Sequence, residues 1–147
     1  MKKLILLLLA LILTACSAGV SEFDKNLAKW EAAKITHYRY DVTIGCFCAF
    51  RDDMPMTIEI NNGEIVSITS VKGNVITPSD DLYDVVKHYA GMDALFTQLK
   101  DALGDADQVE ATYDTTNGYP TSIAVDQIEA AVDDELYISV ENFEVLK

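Results

Sequence analysis

The segment His37-Tyr38-Arg39-Tyr40-Asp41-Val42-Thr43-Ile44 decides the architecture of this chain. Its even-numbered residues are apolar or aromatic and its odd-numbered residues polar, the period of two that places one side of a strand in a core and the other in water. Strands of that kind belong to an antiparallel sheet with a single covered face. Cys46 and Cys48 continue the apolar phase.

Downstream, Met56, Ile58 and Ile60 alternate in a second strand, and Asn61-Asn62-Gly63 turns the chain toward Val66 and Ile68. A two-residue turn would set Ile58 opposite Ser67. A three-residue loop with Gly63 left-handed sets Ile58 opposite Val66 and Met56 opposite Ile68, and burial favours the latter.

Upstream, Ser21 with Asp24 resembles a capping box, and Phe23, Leu27 and Trp30 follow at helical spacing, predicting a helix from Glu22 to Lys34 with Trp30 in the core. Ser79 is placed to cap a helical segment bearing Leu82, Val85, Val86 and Tyr89. A longer helix after Gly91 carries Met92, Leu95, Phe96, Leu99 and Leu103 on one stripe and is expected to stop at Gly104. Three further strands are expected at Val109 to Tyr113, Tyr119 to Asp126 and Leu136 to Val145, with Asn117-Gly118 as a turn. Pro120 suits the first residue of a strand, where a missing ladder donor costs nothing. The expectation is therefore an α+β domain: an antiparallel sheet of about six strands with helices on one face, arranged as two α-β-β-β halves.

The first residues read differently. Lys2 and Lys3 precede the apolar run Leu4 to Leu13, and Leu13-Thr14-Ala15-Cys16 follows. Ten apolar residues are too few to span a bilayer, which takes about 20. The tetrapeptide resembles the lipobox of bacterial lipoproteins, in which the chain is cut before the Cys and the thiol, a soft nucleophile, carries the lipid. The organisation expected is a signal peptide at 1–15, a lipidated Cys16 and tether at 16–21, and one domain at 22–147. The expected location is the bacterial cell envelope, lipid-anchored, in the outer membrane facing the periplasm if the cell is Gram-negative. Ser17 to Val20 would hold the domain within roughly 15 Å of the headgroups.

Without Lys2 and Lys3, nine of the 11 basic residues remain against 24 acidic ones, a net charge of −15. Phosphate backbones and anionic headgroups repel such a surface, so nucleic acid is excluded as a partner.

In combination, Trp30, Tyr38-Arg39-Tyr40, Cys46-Phe47-Cys48, Asn62-Gly63-Glu64-Ile65-Val66, Met92-Asp93-Ala94-Leu95-Phe96, Tyr113-Asp114, Gly118-Tyr119-Pro120-Thr121 and Asp133-Asp134-Glu135 resemble a domain-of-unknown-function family of bacterial lipoproteins. The resemblance implies an envelope lipoprotein and supplies no catalytic residue.

Chemistry then rests on few residues. With Cys16 lipidated, Cys46 and Cys48 remain, an even number in an oxidising compartment. In an extended strand their Cα atoms would stand about 6.7 Å apart, the upper edge of disulfide geometry, so a bridge needs a local contraction beside Gly45. A structural disulfide is the first expectation; a redox-active pair, metal ligation or free thiols are the alternatives. Zinc would need two ligands beyond the thiols, both His37 and His88, and His37 has the wrong strand parity to join them. The acidic groups Asp52-Asp53, Asp80-Asp81-Asp84, Asp101 to Asp107 and Asp133-Asp134-Glu135 lack the spacing of a twelve-residue calcium loop. No Ser lies in a Gly-x-Ser-x-Gly elbow. No catalytic residue, metal or cofactor is thus expected. The favoured function is a non-enzymatic binding module for an envelope protein or cell-wall ligand, attached to the membrane through Cys16. The alternative is an envelope redox or metal-dependent protein built on Cys46 and Cys48.

Overall fold

The computed structural model describes residues 21–147. The expected signal peptide, the lipidation residue Cys16 and the tether residues 17–20 lie outside the described residues. No described helix is long and apolar enough to cross a membrane.

Helix α1 spans Glu22–Ala33, followed by β1 (His37–Gly45), β2 (Met56–Asn61) and β3 (Glu64–Ser70). The short α2 (Asp81–Val86) and α3 (Met92–Asp105) lead to β4 (Gln108–Tyr113), β5 (Pro120–Asp126) and β6 (Leu136–Val145). The six strands form one sheet in the order β3-β2-β1-β6-β5-β4, every neighbouring pair antiparallel. Each α-β-β-β half keeps its strands contiguous. The first half runs outward from the centre and the second inward from the opposite edge, so β1 and β6, first and last in the chain, pair in the middle.

The period of two in β1 holds throughout. Tyr38, Tyr40, Val42 and Ile44 are buried, as are Met56, Ile58 and Ile60 of β2. A core row crosses Ile44, Ile138, Ile123 and Ala111, and the next row on the open face is Thr43, Ser139, Ser122 and Thr112. The helices cover the first face. Trp30 is buried among Tyr38, Tyr119 and Phe143 at centroid distances of 5.4, 6.2 and 6.1 Å, all edge-to-face, and its indole N–H donates to Asp93 Oδ1.

Helix starts are satisfied in two ways. Ser21 Oγ accepts the Asp24 N–H at 3.0 Å, the N-cap bond of the predicted capping box, and donates its hydroxyl proton to Asp24 Oδ2. At α3 no local side chain caps the helix. Two strand tyrosines do so instead: Tyr40 Oη accepts the Gly91 N–H at 2.7 Å and donates to the Tyr89 carbonyl, and Tyr38 Oη accepts the Met92 N–H at 2.9 Å.

Four expectations are corrected. The β2–β3 turn has two residues, Asn62 and Gly63, both at positive φ, and pairs Asn61 with Glu64 and Ile60 with Ile65. The extra residue enters one step later: a bulge at Val66 re-phases β3, so Ile58 faces Ile68 and Val66 points to solvent. Ser79 does not cap α2. Asp80 holds that position, its carboxylate accepting from Thr77 N–H and Oγ1. Helix α3 continues through Gly104, which needs no positive φ there. Leu103 shares the α3 stripe yet is exposed, because the last turn lines an open groove against the first turn of α1.

Candidate functional site

Strand β1 ends at Gly45, opposite Tyr137 of β6, where an added Cβ would stand 3.4 Å from the Tyr137 Cβ, an ordinary contact. Beyond it the chain turns sharply, with the Cys48 N–H donating to the Cys46 carbonyl at 2.8 Å. This turn supplies the contraction that an extended strand would lack. The two Cα atoms stand 5.1 Å apart and the sulfurs are joined in a disulfide. Cys46 packs against the edge of the core, whereas Phe47 between the two cysteines is 87% exposed. Cys46, Phe47, Cys48, Ala49 and Arg51 line a shallow hollow beside the bridge. The guanidinium of Arg51 supplies the only positive charge among these lining residues.

Phe47 was open to sequence reasoning. Its odd number places it in the wet phase of β1, opposite to the two cysteines, and an aromatic in that phase is a residue to explain.

The domain, denatured without reductant, is expected to show no free thiol at Cys46 or Cys48 and a mass two hydrogens below the reduced form. Quantitative labelling of both would remove the bridge. Because the ring closes over three residues, the chain-entropy relation gives a loss on reduction of roughly 1.6 kcal/mol, so the fold should survive it.

The other candidates are dispersed. His37 lies on the open face, paired with Glu59 at 3.0 Å, and does not approach the cysteines. His88 is exposed near the end of α2. Among the described residues no three His, Cys, Asp or Glu side chains are grouped to hold a metal.

The acidic groups make local contacts. Asp53 pairs with Lys72 at 3.2 Å. The hydrogen bonds from Thr77 hold the Asp80 carboxyl below its ordinary range, and the bond to Lys87 does the same for Asp84. Asp107 accepts the Glu129 N–H and Asp134 the Ile128 N–H, fixing the loop before β6. Partial desolvation, with Asp134, Glu135, Asp107 and Glu129 nearby, pushes the Asp126 carboxyl up.

Tyr119 is half-buried just before β5. It stacks on Phe143 with centroids 4.3 Å apart, and Pro120 opens β5 as expected.

The chain belongs to a family of unknown function, DUF6174, whose family model matches residues 22–145. No match was found among curated proteins or among solved structures.

Proposed function

We propose that this protein is a lipid-anchored interaction module of the bacterial envelope, a domain held close to the bilayer by Cys16 that binds a partner without catalysing a reaction. The observation that carries the binding role is Phe47. An aromatic ring left 87% in water, on a loop closed by a disulfide at its base, costs solvation and contributes nothing to the core. Fixing the loop in advance reduces the entropy lost on binding, which is how a small contact surface gains affinity. The anchor reading rests on Leu13-Thr14-Ala15-Cys16 and on the short segment between Cys16 and the capped start of α1. The expected result for Cys16→Ser is an uncleaved precursor or a domain released from the membrane fraction. A variant that is processed and sediments like the wild type would end the lipoprotein reading.

A second reading is favoured by the hollow beside the bridge. There Arg51 lines the same hollow as the Cys46–Cys48 disulfide, and a positive charge in that hollow would stabilise a thiolate. In that case a substrate dithiol attacks the bridge, passes through a mixed disulfide and leaves oxidised, while Cys46 and Cys48 take up the two electrons and two protons as thiols. The Cys46→Ala/Cys48→Ala double variant separates the two. A redox protein loses all activity with it, whereas a binding module keeps its partner with reduced affinity.

A further inference from the structure

The five most exposed large apolar side chains among the described residues are Phe47 at 87%, Val132 at 82%, Val75 at 65%, Ile128 at 59% and Val71 at 58%. They fall in three loops. Phe47 follows β1, Val71 and Val75 follow β3, and Ile128 and Val132 follow β5. In an antiparallel sheet of order β3-β2-β1-β6-β5-β4, the strands β1, β3 and β5 run the same way, so all three loops leave the same end of the sheet. From β3 to β5 that end spans four strand spacings, about 19 Å.

Toward the opposite end the exposed apolar residues, Val66 at 54% and Val145 at 55%, lie on β3 and β6 themselves and not in the turns. The turns there are Asn62-Gly63 and Asp114-Thr115-Thr116-Asn117-Gly118, residues chosen for turn chemistry and water. Single exposed apolar residues are ordinary, but a concentration at one end marks an interaction surface.

The loops are also tied down. The Val71 N–H donates to the Asp53 carbonyl at 3.1 Å and Lys72 pairs with Asp53, joining the second loop to the first. In the third, the Ala131 N–H donates to the Ile128 carbonyl at 2.7 Å, and Asp134 and Asp107 accept the N–H groups of Ile128 and Glu129.

Charge selects the occupant. Across these loops Asp52, Asp53, Glu129, Asp133, Asp134 and Glu135 face only Arg51 and Lys72. An anionic bilayer is repelled by that rim, and so is a second copy of this acidic chain. Resting on the binding-module reading, we infer that the loop end of the sheet docks a partner protein whose contact patch is apolar at its centre and bordered by lysine and arginine.

The test uses the full lipidated chain in its own cells, with a photo-crosslinking benzoyl-phenylalanine placed in turn at Phe47, Val75 and Val132. Asn62 and Thr115 at the opposite end, and Ala28 and Thr97 on the helices, serve as controls. The expected result is one discrete protein adduct at all three loop positions and none at the controls, with the crosslinked peptide of the partner rich in Lys or Arg. The pair Phe47→Ser and Val132→Ser, both exposed and so leaving the melting temperature unchanged, should reduce the adduct from Val75 at least tenfold.

Adducts at the control positions alone would overturn the assignment of this surface and leave the binding module standing. Adducts to lipid alone, or to a second copy of this chain, would overturn the assignment of a basic protein. No protein adduct at any position would overturn both the surface and the binding module.

Discussion

Replacing Gly118 by alanine is expected to destabilise the domain by about 3 kcal/mol or more, lowering the melting temperature by roughly 10 °C. Two effects add there. Gly118 has φ +81, a conformation that costs an L-residue on the order of 1 kcal/mol. Its absent side chain is also where α1 lies: a Cβ would overlap the Asn26 carbonyl oxygen and come within 2.7 Å of Lys29 Cβ. A helix carbonyl cannot rotate away, so α1 must lift, and Trp30 lies one turn further along the same helix. The control is Gly63→Ala. Gly63 has the same φ of +81 but nothing within 4 Å of the added carbon, so only the backbone cost of about 1 kcal/mol applies. Urea unfolding of both variants decides the matter. Equal losses would mean that α1 does not bear on this turn.

The residues around Gly118 show what sequence reading could and could not reach. That a turn stands there is plain from Asn117-Gly118. That the glycine admits a helix is not, because the contact joins residues about 90 positions apart. Strand parity was legible wherever the period of two ran undisturbed, as in β1, and it failed at bulges. In β6 the parity of Ile138 and Val140 would bury Asn142 and expose Phe143. The register instead shifts opposite Tyr40, Asn142 takes φ +52 and donates to Asp41, and Phe143 turns into the aromatic cluster. The bulge at Val66 misleads in the same way. A bulge is favoured when the burial gained downstream exceeds the cost of one unpaired residue, a balance that local sequence does not contain.

The candidate surface was half legible. The cysteines announced a bridge, and the parity of Phe47 announced exposure. The gathering of Val71, Val75, Ile128 and Val132 with it depends on strand order, since any arrangement with β5 reversed would have sent two of them to the far end. Strand order in turn follows from the pairing of β1 with β6, between residues about 100 positions apart.

The tyrosines that cap α3 should make the fold sensitive to alkali. Burial pushes the Tyr38 hydroxyl up to about 12 from its ordinary 10.0, against the lowering effect of the Met92 N–H bond and with a further rise from the charge of Asp93. Burial raises Tyr40 further still. The folded state therefore holds these protons above pH 10, where the unfolded chain has released them. With fewer protons on the unfolded state, stability falls as pH rises, and each tyrosine steepens the loss by about 1.4 kcal/mol per pH unit between pH 10 and 12. Below pH 10 the contribution is fully present and flat.

At pH 8, Tyr40→Phe strips the Gly91 N–H and the Tyr89 carbonyl of a buried partner, and about 2 kcal/mol of stability is expected to go with it. Tyr38→Phe, which frees one N–H, should cost about 1 kcal/mol. The double variant should then be the weaker protein at neutral pH and the one with the shallower decline above pH 10. Some decline persists, because burial also raises Tyr89, Tyr113 and Tyr119. Urea unfolding at half-unit steps from pH 8 to 11.5 reads both effects. If the double variant declines as steeply as the wild type, the hydroxyls of Tyr38 and Tyr40 are not the buried groups that hold α3 to the sheet.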